Sequence, residues 1–188
     1  MLMSRPMSRH RPPVIPALSA AALPVVALGA VLALCGCGSE PPAQPTFYDS
    51  MASEGATLDA VTAASMISGY RGNNGLDAVE VDPDLMRLAS EHAHAMAARD
   101  KVERSAGREF SGRLAGAGFD GKGAVENVGA GYHTLAEAFS GWRDSPPHRA
   151  NMLKGGVSRL GIAAVYAPQS KYKVFWTLIM ASREERRG

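Results

Sequence analysis

Apolar positions recur along this chain in several distinct periods, and each period predicts a different element. From Ala17 to Leu34 they run almost unbroken, interrupted only by Ser19, Pro24 and Gly29. Further on, Leu85, Leu88, Ala89, His92, Ala93 and Met96 fall at the i, i+3, i+4, i+7, i+8, i+11 spacing of one buried helix face. Asp82-Pro83 opens that helix with a capping residue followed by proline at the first helical position, and the pattern ends near Asp100. An earlier helix is predicted from Leu58 to about Arg71, with Thr57 as cap, Asp59 in its first turn and Gly72-Asn73-Asn74-Gly75 ending it. The stretch from Gly107 to Gly123 reads as a loop with a helical turn around Ser111 to Ala117, and Glu126 to Tyr132 reads as extended. Thr134 and Glu137 form a capping box ahead of a short helix that carries Leu135, Ala138, Phe139 and Trp142 on one stripe. Ser145-Pro146-Pro147 stops it, because prolines cannot continue the hydrogen-bond ladder.

The last apolar pattern alternates. Val157 to Tyr166 and Tyr172 to Met180 read as two strands joined by a turn at Ala167-Pro168-Gln169-Ser170. In the second strand Val174, Trp176, Leu178 and Met180 lie on one face, and Phe175, Thr177 and Ile179 on the other. A strand that is apolar on both faces has to be covered on both. Helices first and a hairpin last therefore predict a three-layer α-β-α sandwich around a small, mainly antiparallel sheet.

The opening forty residues read as an address. Arg5, Arg9 and Arg11 precede the apolar run, which is the layout of a secretory signal. A membrane-spanning anchor is the alternative, since the run approaches the lower length limit, but Pro24 and the lack of a basic stop segment argue against it. The ending Leu34-Cys35-Gly36-Cys37 resembles a bacterial lipobox, which implies cleavage after Gly36 and a diacylglyceryl group on the Cys37 thiol. Two or three acyl chains anchor firmly, at about 0.8 kcal/mol per buried methylene. Simple cleavage and secretion is the other outcome of such a signal. The expected organisation is a signal over 1–36, a lipidated terminus and flexible tether over 37–56, a folded domain over 57–183 and a charged tail over 184–188. Pro41, Pro42 and Pro45 give the tether its extended character.

Composition changes this picture in two places. The formal charge of +2 is unevenly distributed, because the signal holds three of the 20 basic residues and no acid, leaving 17 against 18 acidic ones. No basic run with interleaved aromatics remains, which excludes nucleic acid as a partner class. The only two cysteines are Cys35 and Cys37, so the domain carries no internal disulfide.

Four segments resemble the CAP superfamily of cysteine-rich secretory, antigen five and pathogenesis-related proteins. They are Tyr70-Arg71 through to the His-Ala end of the second helix; Glu126-Asn127-Val128; the block Trp142-Arg143-Asp144-Ser145-Pro146-Pro147-His148-Arg149-Ala150-Asn151-Met152-Leu153; and Gly161-Ile162-Ala163 with Phe175-Trp176-Thr177. The resemblance implies a cleft with two histidines and two acids. Glu126 matches one acid and His148 one histidine, and these are the candidate catalytic residues. Ser145 occupies the place of the second acid. Where the resemblance implies the other histidine, the chain reads Lys101-Val102-Glu103-Arg104-Ser105, and Arg104 is the nearest equivalent. Arg104, Ser145 and Asn127 are thus the candidate ligand-cleft residues.

The departure at Arg104 has chemical weight. Zinc sites take at least three protein ligands, and a cation in the third place repels the metal, so neither metal nor other cofactor is expected. Arg104 is expected to pair with Glu126 as a fixed ion pair. His92 reads as a core residue of its helix face, His94 as exposed and His133 as a loop residue. Glu126 has a structural reading too, as a cap for backbone amides in a buried loop. The expected function is a lipid-anchored, monomeric, non-enzymatic envelope module that binds a lipid, glycan or protein. The alternative is a hydrolase or peptidase in which a carboxylate orients an imidazole, here Glu126 and His148, for acid–base work on water.

Overall fold

A computed structural model of the protein describes residues 44–183, Ala106 excepted. The signal segment, Cys37 and the predicted tail at 184–188 lie outside the described residues. No helix among the described residues is long and apolar enough to cross a membrane.

The chain enters through a 3₁₀ turn, Thr46–Tyr48, and reaches helix α1, Ala60–Gly72. Asp59 caps α1 rather than Thr57, its carboxylate accepting from the Val61 and Thr62 amides at 3.0 Å each. A two-residue strand β1, Glu80–Val81, leads to helix α2, Pro83–Arg99. Asp82 caps α2 with Pro83 in the first turn, and the helix ends where Asp100 takes a left-handed φ of 48°. Every position of the predicted stripe, from Leu85 to Met96, is buried. Helix α3, Gly107–Gly116, starts earlier than the turn the sequence suggests. Strand β2, Val125–Ala130, precedes helix α4, Leu135–Asp144, which begins with the expected Thr134–Glu137 capping box.

Pro146 and Pro147 end α4 and also open a further helix, α5, Pro146–Met152, which the sequence reading omitted. Ser145 between them is extended, as a residue before proline must be, and the prolines then sit in a first turn where no N–H is required. Strands β3, Arg159–Ala167, and β4, Lys173–Ala181, form the closing hairpin. The sheet order is β1-β3-β4-β2, antiparallel except where β1 joins β3. β1 is too short for alternation to announce it.

The two faces of β4 separate as predicted. Val174, Trp176, Leu178 and Met180 pack with Ile67 of α1, Leu135 and Trp142 of α4, and Met152 of α5. On the other side Ile179 and Ala181 pack with Leu85, Leu88 and Ala89 of α2 and Leu114 of α3. This is the three-layer α-β-α sandwich. The stretch expected as tether up to residue 56 is docked from Thr46 onward. The Thr46 hydroxyl donates to Asp59 (3.1 Å), Met51 is 5% exposed within the α1/α4 layer, and its amide donates to the His133 carbonyl at 2.6 Å. Phe47 and Met51 anchor singly, without a period, which is why no pattern marks them.

Gly161 on β3 sets the distance between the sheet and α2, since a Cβ there would overlap the Leu85 and Met86 backbone. Gly161→Val should therefore lower stability by about 1–3 kcal/mol or more, because helix backbone cannot move aside as a side chain can. Thermal unfolding measures it, and an unchanged midpoint contradicts this packing.

Candidate functional site

The site begins from a buried charge. Strand alternation turns Glu126 and Val128 towards α2, and turns Asn127 between them towards α5. Glu126 is 6% exposed, and a buried carboxylate requires hydrogen-bonded partners. Ser105, in the loop after α2, supplies two. Its amide donates to Oε2 and its hydroxyl to Oε1, each at 2.8 Å. His92 on α2 completes the cluster, with Nε2 at 3.9 Å from Oε1 and 2.8 Å from the Glu103 carbonyl. A carbonyl can only accept, so the proton on Nε2 belongs to that bond. His92 Nδ1 lies 3.3 Å from Ser105 Oγ, and Arg113 Nη2 on α3 donates to the same oxygen at 2.9 Å.

The expected Arg104–Glu126 ion pair is not formed. The carboxylate takes the neutral donors of the next residue, which satisfy it without burying a second charge. Arg104 is exposed and lines two hollows that meet at Ser105. The larger, about 360 Å³, lies between α2 and α3 with His92, Arg99, Glu109 and Arg113 in its walls. The smaller, about 210 Å³, is bounded by Phe110, Val125, Glu126 and Asn151.

Of the other expected cleft residues, Asn127 faces away. It is 1% exposed, donates to the His148 carbonyl (3.0 Å) and accepts from Asn151 Nδ2 (2.8 Å). Asn151 also donates to the Glu126 carbonyl at 3.0 Å, so these two amides stitch α5 to β2. Their position is a consequence of alternation, since neighbours on a strand cannot share a face. Ser145 is half-buried at the α4–α5 junction and lines neither hollow. His148, half-buried on α5, lines neither as well, and no hydrogen bond or ion pair joins it to Glu126 among the described residues. Burial, and secondarily the positive charge of Arg104, hold its pKa below the ordinary 6.5.

The sequence reading missed Ser105, and it took His92 as core only. His92 is indeed buried, at 7%. Ser105 lies in the segment after α2, where no apolar period fixes the register of the loop, and His92 sits on the apolar stripe of α2 itself. These donors do not suit a zinc centre. His92 Nε2 is engaged by a carbonyl and both Glu126 oxygens by Ser105, and Arg104 beside them is a cation. No group of three or more His, Cys, Asp or Glu side chains among the described residues is placed to hold a metal ion.

The family model for CAP, the cysteine-rich secretory protein family, matches residues 64–180. The chain belongs to the CAP family. Among solved structures, its CAP domain is similar to an outer surface protein from Borrelia burgdorferi, with a TM-score of 0.56 and 16% identity over 69% of this chain and 98% of that one. It is similar also to an extracellular protein containing a SCP domain from Bacillus anthracis, with a TM-score of 0.51 and 22% identity over 65% of this chain. The match spans 39% of the Bacillus protein's length. A comparison with curated proteins gives no match.

The lowered pKa of His148 makes a stability prediction for the CAP domain. A histidine that protonates less readily folded than unfolded destabilises the fold as pH drops below 6.5, because the unfolded state then binds the proton preferentially. Asp59 and Asp144 are lowered from 3.8 by hydrogen bonds to Thr62 and Arg143, so their losses fall in a separate, more acid window. His148→Gln should flatten the decline in unfolding midpoint just below pH 6.5. An unaltered decline in the variant contradicts the assignment.

Proposed function

We propose that the protein is an extracytoplasmic lipoprotein whose CAP domain binds a small lipid- or glycan-class ligand in the cleft between α2 and α3, without turning it over. One observation carries this reading. The two oxygens of Glu126 accept from the amide and hydroxyl of Ser105, so the carboxylate holds the cleft's loop in place. A general base needs a lone pair within reach of the proton it removes, and here one lone pair on each oxygen of a carboxylate only 6% exposed is already taken by the loop.

The envelope location rests on the signal and lipobox-like ending, and agrees with the surface and extracellular descriptions of the two similar structures. The tether joins the domain in the α1/α4 layer, whereas the cleft opens in the α2/α3 layer on the opposite side of the sheet. The hydrolase reading has one observation in its favour, the lowered pKa of His148, which keeps the imidazole neutral and able to accept a proton.

One comparison of variants separates these. Cys37→Ala should abolish incorporation of labelled palmitate into the chain, and labelling that persists in the variant contradicts the anchor. In parallel, Glu126→Gln combined with His148→Gln should remove no activity from a panel of peptide, ester and glycoside substrates. A turnover present in the wild type and lost in that folded variant overturns the binding reading.

A further inference from the structure

The charges around the larger hollow cancel in number but not in pairing. Its walls carry Glu91, Glu103 and Glu109 against Arg99, Arg104 and Arg113. Two of the acids are already paired with cations outside the hollow, Glu91 with Arg87 at 2.8 Å and Glu103 with Lys101 at 3.3 Å. That leaves Glu109 against three guanidinium groups, none of which makes an ion pair among the described residues. Arg113 is the most constrained. Its only hydrogen bond there is the one from Nη2 to Ser105 Oγ, and its Nε is buried without an acceptor. A buried N–H with no acceptor destabilises a fold, and this one belongs to a side chain of the cleft wall.

Resting on the reading of the cleft as a binding site, we propose that its ligand carries an oxyanion, a carboxylate or a phosphate, received by Arg104 and Arg113 with Arg99 adding to the positive field. A guanidinium presents a planar fork of donors that fits the paired oxygens of either group, and a charge-assisted bond of this kind is about twice as strong as a neutral one. Ser105 cannot replace them as donor, because its one hydroxyl proton goes to Glu126. It instead fixes Arg113 by accepting from it. The cleft, at about 360 Å³, is within the range that takes a small molecule or the anionic end of a larger one.

The test uses the purified full chain in detergent micelles, with inorganic phosphate, acetate and uncharged acetamide as probes. The readout is the Nε–H resonances of the arginine side chains by NMR. Saturable shifts of the Arg104 and Arg113 signals with phosphate or acetate, and none with acetamide, support the proposal, and whichever anion binds tighter names the group. Arg104 is exposed, so Arg104→Gln keeps the fold and should weaken the anion's affinity about tenfold or more. No saturable shift with either anion, equal binding of acetamide, or unchanged affinity in Arg104→Gln overturns it. An uncharged molecule co-purifying in the cleft would defeat the oxyanion proposal and leave the binding reading standing, whereas turnover of a substrate would defeat the binding reading itself.

Discussion

From Val174 to Ala181 every residue of β4 is buried, so this strand requires apolar cover on both sides of the sheet. The cover is divided between α1, α4 and α5 on one face and α2 and α3 on the other. Beside β4 lies the edge strand β2, and its alternation sends adjacent polar residues into opposite layers. Glu126 enters the α2/α3 layer, where its charge has to be met, and Asn127 enters the α5 layer. The loop after α2 folds over Glu126 to meet it, and the cleft is the space that this fold-over leaves.

Polar residues that resemble a catalytic signature therefore carry much of the architecture. Arg71 is the extreme case, at 1% exposure. It donates to the carbonyls of Asp77, Met152, Lys154 and Val157, tying the end of α1 to the end of α5 and the start of the hairpin. A guanidinium can satisfy several carbonyls at once where helix ends and loops leave them without partners. Burial depresses its pKa, yet from so high a starting value that it remains charged. Asn127 and Asn151 perform the same service between β2 and α5. Arg99, Arg104 and Arg113, which line the cleft, make no ion pair among the described residues.

Much of this was legible in the amino-acid order, and the failures have physical reasons. α2 was readable because capping, proline placement and a six-position stripe all agree from Asp82 to Met96. The two-faced β4 was readable because alternation with apolar residues on both sides has one structural solution. α5 was not, because a proline pair that stops one helix is equally suited to start the next. The docking of Met51 was invisible, as an isolated apolar residue sets no period. At the site, Glu126 was located by its signature, but its partner was misassigned. Ser105 lies 21 residues away, and nothing local says whether a loop will offer an amide and hydroxyl or a neighbouring guanidinium. Only the three-dimensional path of the loop decides that.

If the Glu126 carboxylate is an anchor for the loop rather than a free base, the Ser105 amide must be sheltered by it. Native-state hydrogen exchange at that single amide reads this directly. The account predicts a protected Ser105 N–H in the wild type, with protection lost by about tenfold or more in Glu126→Ala while the amides of β4 exchange as before. A Ser105 amide that exchanges at the unprotected rate in the wild-type protein would contradict it, leaving the carboxylate open to water and the acid–base reading in force.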